Sequence, residues 1–340
     1  MSDSPTLALV APEEPSGVPP ETVLLGLPVI RRSVLSARRA GFGRIAVVRA
    51  TPEIRAALEV TPADFPSEIP AEAARLPWNR SVATKDLKDL LAGANAVGVP
   101  LRTPADLRQA EKALLRALIK DTEGFMSRHF DRKISLAISR RLAGTRVTPN
   151  HMTVVSVAIG VFGALFFLSP EPALQTAGAI CFVLHSIVDG CDGELARLKF
   201  QESRWGGLLD FWGDNLVHFA VYSAIAVGWS RAIGKPWPLL LGAAAILGNF
   251  LSAGFVHLQT MAVREPTDGP LFTHVSRSSS RISRVADELS RRDFIYLVLI
   301  LSFFGKANWF LAMAAVGAPI FFFVLVGLAL AERRDDSRSV

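Results

Sequence analysis

The chain has 340 residues, half of them apolar and a fifth charged, with a net charge of +6. Such apolar content excludes a disordered chain, and the long uncharged blocks argue against a purely soluble globule. The charge is unevenly placed. Residues 1–149 carry 22 Lys/Arg against 16 Asp/Glu, a balance of +6, whereas residues 150–340 carry 15 of each. One chain therefore joins two physical classes.

Residues 1–120 are expected to form a small α/β cytoplasmic domain. Met1 to Val10 shows neither the basic start nor the apolar run of a secretory signal. Residues 6–10 are a candidate strand. A helical run then leads to Arg39-Ala40-Gly41, and residues 44–48 form a second apolar strand. Thr103 is a candidate N-cap, with Pro104 at the first helical position.

Residues 121–149 are expected to hold an interfacial amphipathic helix. Met126, Phe130, Ile134, Ile138 and Leu142 recur every four residues, with Arg128, Arg132, Lys133, Arg140 and Arg141 between them. This pattern suits an anionic inner leaflet. The positive excess is therefore read as lipid-directed, with no nucleic acid as partner.

Residues 150–335 are expected to form an all-α six-helix transmembrane bundle. The apolar stretches are 151–170, 172–188, 205–230, 236–263, 294–305 and 307–331. The fifth is short, since its 12 residues reach only about 18 Å as a helix. With the N-terminus inside, twelve basic residues fall in inner loops and tail. Only Arg231, Lys235 and Lys306 fall outside. That asymmetry predicts a multi-pass protein of the cell (inner) membrane with both termini cytoplasmic. Trp205, Trp229, Trp237 and Trp309 lie near predicted span ends, as interfacial anchors do. Cys181 and Cys191 are about 15 Å apart along one helix, too far for a disulfide, and read as small buried residues.

Carboxylates inside spans point to function. Asp189 and Asp192 are i,i+3 at the end of the second span. Asp210 and Asp214 are i,i+4 at the start of the third. A hairpin of these spans would gather all four at the cytoplasmic rim. Four like charges at low dielectric need protons or cations. Oxygen-only ligands favour Mg²⁺, Mn²⁺ or Ca²⁺ over zinc. Gly193 and Gly206 leave room for a bulky ligand, and Arg197 suits a bidentate phosphate contact. Two classes of function fit: metal-assisted displacement at phosphorus, or a non-enzymatic transporter or cation-binding scaffold. Carboxylates at span ends, not at the midplane, favour the enzyme.

The pattern D-x2-D-G-x2-A-R-x8-G-x3-D-x3-D runs from Asp189 to Asp214. It resembles the signature of the CDP-alcohol phosphotransferase (CDP-alcohol phosphatidyltransferase) family, over about residues 123–331. The resemblance implies a CDP-linked donor, an alcohol acceptor and release of CMP. It implies Mg²⁺ or Mn²⁺ held by Asp189, Asp192 and Asp210, with Asp214 as a fourth ligand or the general base. Gly193, Ala196 and Arg197 would contact the cytidine and diphosphate, and Gly206 would allow close approach. A homodimer is the family expectation. The donor is left open between CDP-diacylglycerol, as in phospholipid synthesis, and CDP-inositol.

Three more positions are singled out. Thr153 near the start of the first span is a candidate nucleotide contact. Arg292, in Arg291-Arg292-Asp293 beside the short fifth span, is a candidate for an acceptor phosphate. His218, one turn beyond Asp214, reads as a helix-packing or hydrogen-bonded residue, not a second base.

Residues 1–120 also resemble, more weakly, the nucleotidyltransferase-like cytidylyltransferase half of fused inositol-phosphate cytidylyltransferase/di-inositol-phosphate phosphate synthases. The chain departs from that pattern. Ala11-Pro-Glu-Glu-Pro-Ser-Gly17 is acidic and proline-rich where a glycine-rich basic loop would cradle a triphosphate. Val97-Gly-Val-Pro-Leu101 offers no carboxylate for a metal. A degenerate, non-catalytic domain is therefore expected.

Overall fold

The computed structural model describes residues 5–12, 17–59, 61–93, 98–119, 126–260 and 294–336. The chain divides into two units, one of Met1–Lys120 with Arg140–Arg146 and Leu198–Phe200, the other of the remaining residues.

In the first unit, β1 (Thr6–Val10) is the middle strand of a parallel sheet with β4 (Arg44–Val47) and β5 (Ala74–Pro77) at its sides. Leu7 pairs with Ile45 on one side and with Ala74 on the other. Leu7, Ala8 and Leu9 are all fully buried, which is why this strand reads as an unbroken apolar run. Two short antiparallel pairs accompany the sheet: the hairpin of β2 (Val23–Leu24) with β3 (Leu27–Pro28), and β6 (Arg80–Ser81) with β7 (Val99–Pro100), which are separated in sequence by a helix.

Helix α1 (Val29–Ala40) sends Ile30, Val34 and Ala37 into the sheet's core and stops at Gly41, whose φ of 111° is left-handed. Helix α2 (Pro52–Leu58) is capped by the Thr51 hydroxyl, which accepts from Ile54 N at 3.4 Å. Helices α3 (Thr84–Leu91) and α4 (Pro104–Arg116) follow. At α4 Thr103 is the N-cap and Pro104 the first helical residue, as the sequence indicates. Asp106 reaches back to accept from the backbone N–H groups of Thr103 (2.8 Å) and Arg102 (2.9 Å). These two bonds hold its carboxyl below the usual carboxylate range.

Arg32 is buried in this unit and donates to the carbonyl oxygens of Leu24, Leu25 and Leu198. Burial first, and the charge of Arg39 second, push its guanidinium down to about 10. Arg39 lies 4.4 Å from the ring centroid of Phe200, a residue held at φ +57°. A bulky residue in that region is strained by roughly 1–2 kcal/mol, and the cation–π contact offsets part of that strain.

The second unit is helical. A π-turn, Ser127–Asp131, leads into α5 (Arg132–Leu142). The inward face here is polar: Asp131, Ser135 and Ser139 are buried, while Phe130 and Ile134 are 52% and 38% exposed. The apolar stripe seen in the sequence thus points away from the unit's interior.

Helix α6 (Pro149–Leu165) starts at Thr148, whose hydroxyl accepts from His151 N at 3.4 Å. Helices α7 (Pro172–Lys199), α8 (Arg204–Ile233) and α9 (Trp237–Thr260) follow, then α10 (Phe294–Phe303) and α11 (Ala307–Asp336). Five of these helices are long and apolar enough to cross a membrane, and α10 is a shorter apolar helix. The unit is that of a multi-pass membrane protein. Its core is built from Phe167, Phe182, Val217, Val221, Phe310 and Leu311. Outward positions such as Phe162, Leu240 and Phe323 remain exposed and apolar, as lipid-facing surface must be.

Candidate active site

The site forms where the C-terminal half of α7 meets the first turns of α6 and α8. Asp189 and Asp192 sit one turn apart on α7, and Asp210 lies near the start of α8. One ligand oxygen from each lies within 4.8 Å of the others. Asp189 and Asp192 are buried and Asp210 is half-buried. Three carboxylates this close, with no nitrogen or sulfur ligand in the group, fit a hard divalent cation such as Mg²⁺ or Mn²⁺.

Asp192 is held on both oxygens. The Thr153 hydroxyl donates to Oδ2 at 2.5 Å, and the backbone N–H of Gly193 donates to Oδ1. The sequence reading gave Thr153 a nucleotide contact. The structure shows its hydroxyl on Asp192, while the residue also lines the adjoining cleft.

That cleft is open to solvent. Thr153, Asp192, Gly193, Ala196, Gly206 and Asp210 all line it, together with Asn150 and Ser203. Ser203 caps α8, its hydroxyl accepting from Gly206 N at 3.0 Å. A Cβ on Gly206 would stand 3.0 Å from Ser203 Oγ and 3.1 Å from Asn150 Oδ1, so the wall is already close-packed there. A Cβ on Gly193 would stand 3.3 Å from Arg197 Nη1. The space beside Gly193 thus lies next to the guanidinium one turn along.

Asp214 stands apart from the group of three. Its Oδ1 lies 3.2 Å from Nε2 of the buried His185. His218 packs among aromatic rings, 5.7 Å from Phe182 and 6.4 Å from Tyr222 between centroids, in keeping with a packing role. Arg292 lies outside the described residues.

Several residues of this region were not found from sequence. Glu194 is completely buried and accepts from Arg132 Nη1 and Ser135 Oγ, both at 2.7 Å. Tyr296 donates to Asp131. The only sequence signal for His185 is its place one turn before Asp189.

Residues 146–331 match the family described as CDP-alcohol phosphatidyltransferase. The match covers more than half of the chain, which therefore belongs to that family. A bifunctional IPC transferase and DIPP synthase of Thermococcus kodakarensis is 37% identical over 150 residues, 44% of this chain and 33% of that protein. A CDP-diacylglycerol–serine O-phosphatidyltransferase of Mycobacterium leprae is 34% identical over 108 residues, 29% of this chain and 35% of that protein. The chain thus spans about a third of the length of each. The crystal structure of Mycobacterium tuberculosis phosphatidylinositol phosphate synthase with CDP-DAG bound aligns with a TM-score of 0.39 at 20% identity. It covers 57% of this chain and 94% of that one.

Proposed function

We propose that this protein transfers a substituted phosphate group from a CDP-linked donor to an alcohol, with release of CMP. The observation that carries this reading is the cluster of Asp189, Asp192 and Asp210 beside an open cleft lined by Gly193, Ala196 and Gly206. Membership of the CDP-alcohol phosphatidyltransferase family supports it. The donor is CDP-diacylglycerol or CDP-inositol, serving phospholipid or inositol-phosphodiester synthesis.

The acceptor oxygen bonds to the donor phosphorus that carries the alcohol group as the bond from that phosphorus to CMP breaks. Asp214 takes the hydroxyl proton, because an alcohol is a weak nucleophile at neutral pH. Asp189, Asp192 and Asp210 would hold Mg²⁺ or Mn²⁺, with Asp214 as an alternative fourth ligand. Such an ion supplies charge neutralisation at the diphosphate. Gly193, Ala196, Arg197, Gly206 and Thr153 form the donor's binding wall. Arg292 binds the phosphate of a phosphorylated acceptor.

In this reading residues 1–120 are a degenerate nucleotidyltransferase-like domain, residues 121–149 lie at the membrane interface, and residues 150–335 form the transferase. The short helix α10 completes a six-span bundle with both termini cytoplasmic in the cell (inner) membrane, contacting lipid and assembling as a homodimer. The test is CMP release by purified protein from CDP-diacylglycerol and from CDP-inositol. Each donor is tried with glycerol phosphate, inositol phosphate and serine, with Mg²⁺, Mn²⁺ or a chelator. Release that requires both an acceptor and a divalent ion is expected. Retained cation binding without CMP release from any pair would return the site to a transporter or cation-binding scaffold.

A further inference from the structure

His185 sits in the apolar interior of the helical unit with only 1% of its surface exposed, and the chemistry above does not use it. Its ring is held at both nitrogens and beside a parallel aromatic ring. Nδ1 lies 2.9 Å from the carbonyl oxygen of Ser156 on α6. The Phe182 ring lies nearly parallel to it, 6.0 Å away between centroids. Gly160 supplies the space: a Cβ there would stand 3.1 Å from His185 Cγ and 2.5 Å from Val217 Cγ1.

A carbonyl oxygen only accepts, so Nδ1 carries the hydrogen of the bond to Ser156. An ionised Asp214 Oδ1 also only accepts, so its contact with Nε2 needs a second hydrogen, carried on Nε2, and the direction of that bond is set by α6 through the other edge of the ring. Histidines beside functional groups are oriented in this way by a second hydrogen bond.

We propose that His185 is a positioning residue for the transfer reaction. It ties Oδ1 of Asp214 to the backbone of α6 and so sets the orientation in which the carboxylate meets the acceptor hydroxyl. The inference rests on the transferase reading and adds to it a residue outside the motif. Helix α6, which contributes none of the four aspartates, thus steadies two of them. Thr153 acts on Asp192 directly, and Ser156, three residues along the same helix, acts on Asp214 through His185.

Two substitutions separate this role from simple packing. In His185→Gln the amide nitrogen stands near the position of Nε2 and can still reach Asp214. In His185→Asn it stands near Nδ1 and can reach only the Ser156 carbonyl. CMP release should fall about 10–100-fold in kcat for His185→Asn, the range of lost supporting contacts. The donor KM should change by less than about twofold, and His185→Gln should recover most of the loss. Equal activity in the two variants, or an effect on KM alone, would overturn the proposal. If either variant fails to fold, ¹⁵N-histidine spectra of wild type and Asp214→Asn decide. A moved His185 Nε2 resonance is expected, and an unmoved one refutes the contact. Wild-type protein that releases no CMP would defeat the transferase reading, and the spectra would still test the His185–Asp214 contact by itself.

Discussion

Arg132 Nη1 lies 2.7 Å from Glu194 Oε1, and the Glu194 side chain has no exposed surface. This pair joins the helix before the first span to the middle of the aspartate motif, two residues after Asp192. Its surroundings are small: Ser135 donates to the same oxygen, and a Cβ on Gly190 would stand 3.1 Å from Arg132 Nη1.

Removing one partner leaves an uncompensated buried charge. Arg132→Ala should therefore destabilise the protein by about 3–5 kcal/mol. Replacing both residues, as Arg132→Met with Glu194→Leu, should recover most of that loss. Unfolding of the detergent-solubilised protein in graded SDS measures both. A double variant as unstable as the single one would contradict this account.

The three clustered carboxylates repel one another when no cation is present. Asp189→Asn should then raise thermal stability in chelator while lowering CMP release at least about 100-fold. Melting curves with and without Mg²⁺ should show the wild type gaining more from the ion than the variant does.

Thr153→Val keeps the shape of the side chain and removes the hydroxyl that Asp192 accepts from. Loss of such a supporting bond should weaken the apparent Mg²⁺ affinity by about 10–100-fold. Titrating CMP release against Mg²⁺ reads this directly. Saturating Mg²⁺ should restore most of the rate.

Asp106 makes one pH-dependent contribution. The N–H groups of Thr103 and Arg102 lower its folded-state pKa. The stabilisation is therefore fully present above the ordinary aspartate range, near about 4. It is lost as pH falls through the lower, folded-state value. Amide-exchange protection at the first turn of α4 should drop over that acidic interval, and Asp106→Asn should abolish the pH dependence of that drop.

The parts legible in the sequence were those with local periodicity. Asp189 and Asp192 share a face because i,i+3 neighbours on a helix must, and uncharged runs of about 20 residues announce spans. β1 was legible as a buried apolar run. Partnerships across large sequence distances were not. Nothing near Glu194 indicates Arg132, 62 positions away, and nothing near His185 indicates the Ser156 carbonyl. The inward face of α5 was hidden for another reason. Its buried residues are Ser135 and Ser139, with Asp131 in the turn before it, so hydropathy alone does not mark that face as the inward one. At Asp214, helical spacing gave the face but not the distance to Asp210's neighbours on α7.

Because Asp189 through Asp214 occupy a single helical hairpin, the proposed orientation has a consequence for how the chain enters the bilayer. The connection between α7 and α8 stays on the side of synthesis, and the carboxylates stay with it. No aspartate of the motif has to be dragged through hydrocarbon, a passage worth about 2.5–3.5 kcal/mol for each at mid-depth. All three clustered aspartates belong to these two consecutive helices, so the whole group has been synthesised before α9, α10 and α11 leave the ribosome.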